Sequence, residues 1–262
     1  MKNKLPSLHS MNLILDCYSS LGKKKSRIGH SFSGYNCHLW KNEVMSPILI
    51  TNNNTWMDDL KKIEGHFSKP FTPSKYTRKT PYFNLLTTGK RRLDSKVISE
   101  LKKMDWIASP SESSLNLWNS QIPLELPKNY HIKFGKYFDQ EIYPEFLKTM
   151  EVNFDCDAFF MKQLNKMMKT INEEVFTILL CKNNKVVGAG LVAVKNEGAF
   201  LFCGSIYKTH RNKNLWKVLT SARQAVSAAM GAKVWITTTS VPQLIWRGDE
   251  CYRITIFNKI KR

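Results

Sequence analysis

Polar and apolar positions alternate or cluster in short runs along this chain, and in the second half they are easy to assign. Apolar runs over 175–181, 185–194 and 199–206 have strand length, and Asn183-Asn184 and Asn196-Glu197-Gly198 between them read as hairpin turns. After residue 206 the period changes. Leu215, Val218, Leu219, Ala222, Ala225, Val226, Ala229 and Met230 recur at helical spacing, and Gly231 is placed to stop that helix. A strand over 233–239, a short helix over 241–246 and a strand over 252–258 follow. Ahead of these, 130–134 predicts a strand. Two helices are predicted over 139–153 and 157–171, with Ile142, Phe146 and Met150 on one apolar face and Phe160, Leu164 and Met167 on the other.

The first half is less regular. Short strands are predicted at 38–40, 47–51, 82–86 and 113–118. Asn54-Thr55 caps an amphipathic helix over 56–67, whose Trp56, Leu60, Ile63 and Phe67 share one face and read as core. A Pro- and Lys-rich loop (69–79) and a basic turn, Gly89-Lys90-Arg91-Arg92, separate it from a helix begun by Asp94 with Val97, Leu101 and Met104 inward. Pro123 and Pro127 mark 121–129 as a linker. The pattern thus divides into a basic arm (1–35, with Lys23-Lys24-Lys25 and Arg27), an α/β half (36–120), the linker, and an α/β domain (130–262).

Composition narrows the partners. The chain has 262 residues and 42% hydrophobic content, enough for one large or two modest cores. Its formal charge of +19 favours anions: a phosphorylated ligand, nucleic acid, the ribosome or an acidic protein. Six cysteines occur without a C-x-x-C, and Cys37-His38 is not metal-ligand spacing, so reduced thiols in a cytoplasmic setting and no metal are expected. Met11–Leu15 is too short for a secretory core; delivery into another cell stays open. No apolar run has membrane-spanning length.

The candidate chemistry lies at the strand-to-helix elbow, Lys208-Thr209-His210-Arg211-Asn212-Lys213-Asn214. A basic turn feeding a helix N-terminus offers unpaired N–H groups and a positive dipole end to phosphate.

In order and content, residues 129–260 resemble the GNAT acetyltransferase superfamily. Asn184-Lys185-Val186-Val187-Gly188-Ala189-Gly190 is similar to its (D/N)GKxVGxG hairpin, His210–Trp216 to its R-x-x-G-x-G/A pyrophosphate loop, and Ser227-Ala228-Ala229-Met230-Gly231-Ala232-Lys233 to its A-x-x-x-G-A helix end. The resemblance implies a mixed sheet flanked by helices (an α+β arrangement within the α/β class). The first half resembles the smaller, divergent α/β N-terminal half of two-part GNAT proteins, echoed by Leu101–Trp106, and lacks a pyrophosphate loop.

The implied cosubstrate is acetyl-CoA, with a protein or small-molecule amine as acceptor. By the same resemblance, Ser205, Ile206 and Tyr207 would meet the pantetheine and acetyl groups. Arg211, Asn212, Lys213, Asn214, Leu215 and Trp216 would face the pyrophosphate, and Ser240, Trp246 and Tyr207 would stand near the reacting thioester. Departures from the family pattern are specific. Asn214 and Trp216 replace the loop glycines, and Trp246 stands where the family often has the Tyr that protonates the leaving thiolate; an indole N–H is a poor acid. Glu174, Glu197 and Glu250 lie at strand or turn edges and read as surface carboxylates rather than bases, and Cys203 reads as core. Three readings follow: an N-acetyltransferase, a degenerate GNAT protein serving as an interaction module, and a basic nucleic-acid or ribosome binder.

Overall fold

The structure, a computed structural model, describes residues 27–32, 35–40, 48–50, 82–88, 95–110, 113–154, 158–170, 175–211, 213–239 and 247–259. The expected helices over 56–67 and 241–246, the loop over 69–79, the basic turn over 89–92 and the Lys23–Lys25 run lie outside these residues. Backbone packing separates two compact units. One draws on the chain up to Leu117 and again from Thr238; the other spans Trp118–Thr237. Among the described residues no helix is long and apolar enough to cross a membrane.

The first unit contains β1 (Arg27–Phe32), β2 (Tyr35–Trp40), β3 (Ile48–Ile50), β4 (Tyr82–Thr88), α1 (Ser95–Lys103), β5 (Trp106–Ala108) and β6 (Ser113–Trp118). It also contains the last strand of the chain, β12 (Glu250–Lys259). Strands β1, β2 and β3 pair antiparallel in turn, and β3 lies parallel to β4. Two sequence expectations are corrected here. The basic arm expected over 1–35 is not separate from the half expected from 36, because β1 forms within it and pairs along its length with β2. The final strand does not complete the domain expected over 130–262. It pairs antiparallel with β4 on one edge and with β6 and β5 on the other. The reason is visible in its burial: Tyr252, Ile254 and Phe257 are buried, and such a strand needs partners on both edges to satisfy its backbone. Gly248 admits the chain to β12, since a Cβ there would come within 2.6 Å of the Leu117 carbonyl oxygen. In α1, Leu101 is buried and Val97 half-buried; Met104, just past its end, is half-buried.

The second unit contains β7 (Tyr130–Lys136), α2 (Tyr143–Phe154), α3 (Ala158–Thr170), β8 (Val175–Lys182), β9 (Lys185–Lys195), β10 (Gly198–Ile206), α4 (Leu215–Ala229) and β11 (Val234–Thr239). Strands β7 to β10 form an antiparallel meander, and β11 adds parallel to β10. The predicted hairpin turns form with Asn183, Asn184 and Asn196 at positive φ, a conformation asparagine tolerates. Helix α2 starts at Tyr143 rather than 139 because Asp139 makes a turn of its own: its Oδ1 accepts from the N–H groups of Glu141 and Ile142.

Side-chain alternation gives this sheet two distinct faces. Ile178, Leu180, Val192, Val194, Ala199 and Leu201 form one core cluster with Leu215, Val218, Leu219 and Ala222 of α4. The opposite face carries Phe200 and Phe202, whose rings stack at 5.6 Å. Helix α2 packs against β8, β9 and β10 and meets β10 at Ser205. Tyr137, Tyr143 and Phe146 form an edge-on aromatic cluster within this unit.

Candidate functional site

The candidate site is assembled where β10 leaves its neighbour. Parallel pairing with β11 runs from Gly198 opposite Val234 to Leu201 opposite Thr237 and then stops, although β10 continues to Ile206. At the last pair, Thr237 Oγ1 donates to the Leu201 carbonyl at 2.7 Å. The other edge of β10 stays on β9, but the register slips: Phe202 opposes Leu191 while Ser205 opposes Ala189, leaving one extra residue on β10. This bulge corrects the reading of Cys203 as an alternating core position. Cys203 is half-exposed with a left-handed backbone (φ 48), and Gly204 beside it is exposed. A lone glycine inside an apolar strand run was the sequence signal for it.

Beyond the strand the elbow takes a defined path. Tyr207 N–H donates to Val187 O at 2.9 Å, and Lys208–His210 form a single 3-10 turn. Arg211 Nε donates to the carbonyl of Ile206 at 3.0 Å, which ties an otherwise exposed guanidinium to the strand end. Lys213 is exposed. Asn214 adopts φ 54 and ψ 14, left-handed backbone that asparagine can supply where the resemblance would have glycine. Its carbonyl accepts from Lys217 and Val218 as α4 begins. The N–H groups of Leu215 and Trp216 have no acceptor among the described residues, as expected of a helix start without a side-chain cap. The Leu215 and Ile206 side chains are buried in the core, so these two present only backbone; Trp216 is half-buried. His210 Nδ1 is buried with no partner among the described residues. Its pKa is held below the ordinary imidazole value by burial, then by the charges of Lys213 and Lys182.

Polar groups line the α2 side. Thr149 Oγ1 donates to Glu145 O at 2.8 Å, so its contact with Tyr207 at 3.3 Å has the tyrosine hydroxyl as donor. Asn153 Nδ2 donates to Thr149 O and to Ser205 Oγ, at 3.1 and 3.3 Å. The Ser205 hydroxyl therefore keeps its own proton for a further acceptor. Of the candidate residues, Ser205, Ile206, Tyr207, Arg211, Lys213, Asn214, Leu215 and Trp216 lie along one continuous stretch from strand end to helix start. Asn212, Ser240, Trp246 and the carboxylate of Glu174 fall outside the described residues. Glu197 is exposed and pairs with Lys233, away from this stretch. Glu250 is in β12 of the first unit, where it accepts from the Tyr252 hydroxyl.

Arg223 was missed from sequence, as were Thr149 and Asn153. Arg223 lies four residues from both Leu219 and Ser227, on the buried side of α4; a charged residue at an inward position was the available signal.

No protein-family sequence model matches the chain, and no curated protein matches it in sequence. Solved structures do match in shape. A GCN5-related N-acetyltransferase from Kribbella flavida superposes with a TM-score of 0.58 at 11% identity, covering 96% of this chain and 94% of that one. A functionally unknown conserved protein from Staphylococcus epidermidis gives 0.57 at 8% identity, covering 92% and 100%. A tandem GNAT protein from the clavulanic acid biosynthesis pathway gives 0.53 at 8% identity, covering 99% and 91%. The fold of this chain is that of the GCN5-related N-acetyltransferases.

Proposed function

We propose that the chain is an acyl-CoA-dependent N-acetyltransferase, with the reacting groups held along Ser205–Trp216. One observation carries the reading: β10 stops pairing with β11 after Leu201, and its free length leads into a basic elbow at the start of α4. The length of β10 that has left β11 suits the amides of a pantetheine arm. Arg211, Lys213 and the N–H groups opening α4 suit a pyrophosphate, through charge and a positive helix end. The neutral polar Thr149–Asn153–Ser205–Tyr207 group beside the basic elbow supports the same reading, since it offers hydrogen bonds without adding negative charge near an anionic ligand.

The chemistry asks little covalent help from the protein. An unprotonated acceptor amine attacks the thioester carbonyl carbon, the carbon–sulfur bond breaks, CoA leaves as thiolate, and the amine proton passes to water or to that thiolate. The chain's own residues hold and orient: Asn153 fixes the Ser205 hydroxyl, and Thr149 fixes Tyr207. With its proton committed to Thr149, Tyr207 serves here as a positioning group rather than as an acid. The acceptor is an amine of a protein or small molecule.

The test is thermal unfolding with acetyl-CoA, CoA and a longer acyl-CoA. A ligand that binds the native state stabilises it by RT ln(1 + [L]/Kd) and so raises the unfolding midpoint. An acyl-dependent rise is expected. Arg211→Glu should weaken CoA binding by about tenfold or more, the loss of a charge-assisted hydrogen bond with charge reversal added. Trp216 half-buried at the helix start favours a second reading, a GNAT-fold interaction module without turnover. A folded wild-type chain with no shift on any of the three ligands would select it.

A further inference from the structure

Arg223 is buried in the second unit with only 6% of its surface exposed, yet it makes no contact with a carboxylate among the described residues. Its hydrogen bonds are long. Nε donates to Leu219 O at 3.3 Å, Nη1 to Phe202 O at 3.4 Å and Nη2 to Thr220 Oγ1 at 3.4 Å. A buried cation is costly unless paired or fully hydrogen-bonded, and these bonds lie at the weak end of the range. Burial pushes its pKa down to about 10, so the charge survives at neutral pH.

Space has been cleared for this charge. A Cβ on Gly190 of β9 would lie 3.1 Å from Arg223 Cδ, and one on Gly204 of β10 would lie 3.0 Å from both Nη1 and Nη2. Two facing strand positions therefore lack side chains where the guanidinium lies. The second of them, Gly204, is the exposed residue of the bulge. The Phe202 carbonyl that Nη1 holds begins the same bulge. A charge here is separated from the exposed strand edge by one glycine.

We infer that Arg223 is a positioning residue of the acyl site: from beneath the sheet it holds the Phe202 carbonyl, and through the bare positions Gly190 and Gly204 it places a buried positive charge behind the bulge, where a thioester carbonyl gains negative charge as it is attacked. The inference rests on the proposed acyltransfer reading. A fixed charge in a dry site stabilises developing negative charge without reorganising at the moment of reaction. The unfavourable burial then has a functional return, as is common where local stability is sacrificed at a working site.

The experiment is infrared difference spectroscopy of [1-13C]acetyl-CoA bound to wild type, Arg223→Met, Arg223→Lys and Gly204→Ala, with affinity measured by calorimetry on the same samples. Wild type should shift the thioester carbonyl stretch to lower wavenumber. Arg223→Met keeps most of the side chain's length without charge; it should bind within about threefold of wild type, because uniform binding lies in the elbow, yet lose at least half the shift. Arg223→Lys should retain most of it. Gly204→Ala crowds the guanidinium, whose Nη1 and Nη2 would lie 3.0 Å from the new Cβ, and moves it back from the bulge while the charge stays, so it should lose part of the shift; this variant decides the matter if Arg223→Met does not fold. An unchanged carbonyl frequency in whichever of Arg223→Met and Gly204→Ala folds overturns the inference. So does a loss of affinity and shift in parallel, the mark of a plain packing role. Wild type that binds no acetyl-CoA overturns the acyltransfer reading and this inference with it, whereas a binding-competent wild type with insensitive variants overturns the inference alone.

Discussion

His210 should make the stability of the elbow depend on pH. Its folded pKa lies below the ordinary value of about 6.5, so below that pH the unfolded chain takes up a proton more readily than the folded one. Stability should therefore be flat above about pH 6.5 and fall as the pH drops from there through the lowered pKa. His210→Asn should flatten that acid-side slope, read from unfolding midpoints across a pH series. A bound pyrophosphate favours the imidazolium, so the slope should also shrink with CoA present. Gly188 is a second residue-scale control point. It sits opposite Ile206, and an added Cβ would meet Ile206 Cδ1 at 2.4 Å and the Ser205 carbonyl oxygen at 2.7 Å. The side-chain tip can move; the backbone oxygen cannot without dragging β10. Gly188→Ala should cost about 1–3 kcal/mol in a urea titration and weaken CoA binding as well, because the displaced strand end carries the elbow.

At the level of elements, α4 shows both ends of a sequence-encoded helix. Its C-terminus is a Schellman turn: Ala232 N–H donates to Ser227 O and Gly231 N–H to Ala228 O, with Gly231 at φ 95. Nothing lies within 4 Å of a Cβ at Gly231, so its backbone angle and not space demands glycine. Gly231→Ala should cost about 1–2 kcal/mol, measured as a lowered denaturation midpoint with unchanged m-value. Met230, counted from its spacing among the inward positions, is exposed because the helix ends just before it. Ser227 ties α4 to the adjoining strand, its Oγ accepting from Trp235 Nε1 at 2.8 Å while donating back to Arg223 O. The strand–bulge–elbow–helix succession is thus one mechanical piece, and Arg223 lies at its centre.

On the scale of the whole molecule, the chain's far end belongs to the first unit. Removing β12 should leave β4 and β6 without the strand they share, so a chain ending after Thr239 should lose hydrogen-exchange protection in Tyr82–Thr88 and Ser113–Trp118. The +19 charge acts at longer range. Affinity for a CoA pyrophosphate should fall as salt rises, since the attraction beyond the elbow's own contacts is screened within about 8 Å at physiological ionic strength.

Element identities in the second unit were legible before any coordinates. Short apolar runs marked β8, β9 and β10, Asn183-Asn184 and Asn196-Glu197-Gly198 marked the turns, a helical period marked α4, and Gly231 marked its end. Each of these depends on residues within a few positions of one another. The basic elbow was legible for the same reason, since its charge and the helix start are adjacent in the chain. Three features were decided only by tertiary structure. Which unit β12 joins depends on edges offered by strands well over a hundred residues away. The bulge that turns Cys203 out of the core is a mismatch in register between two strands, visible only once they pair. The role of Arg223 depends on Gly190 and Gly204, which face it only once β9 and β10 pair. Local preferences act through neighbours in sequence, whereas partner choice, register and the burial of a charge are settled by free energies that exist only after distant segments meet.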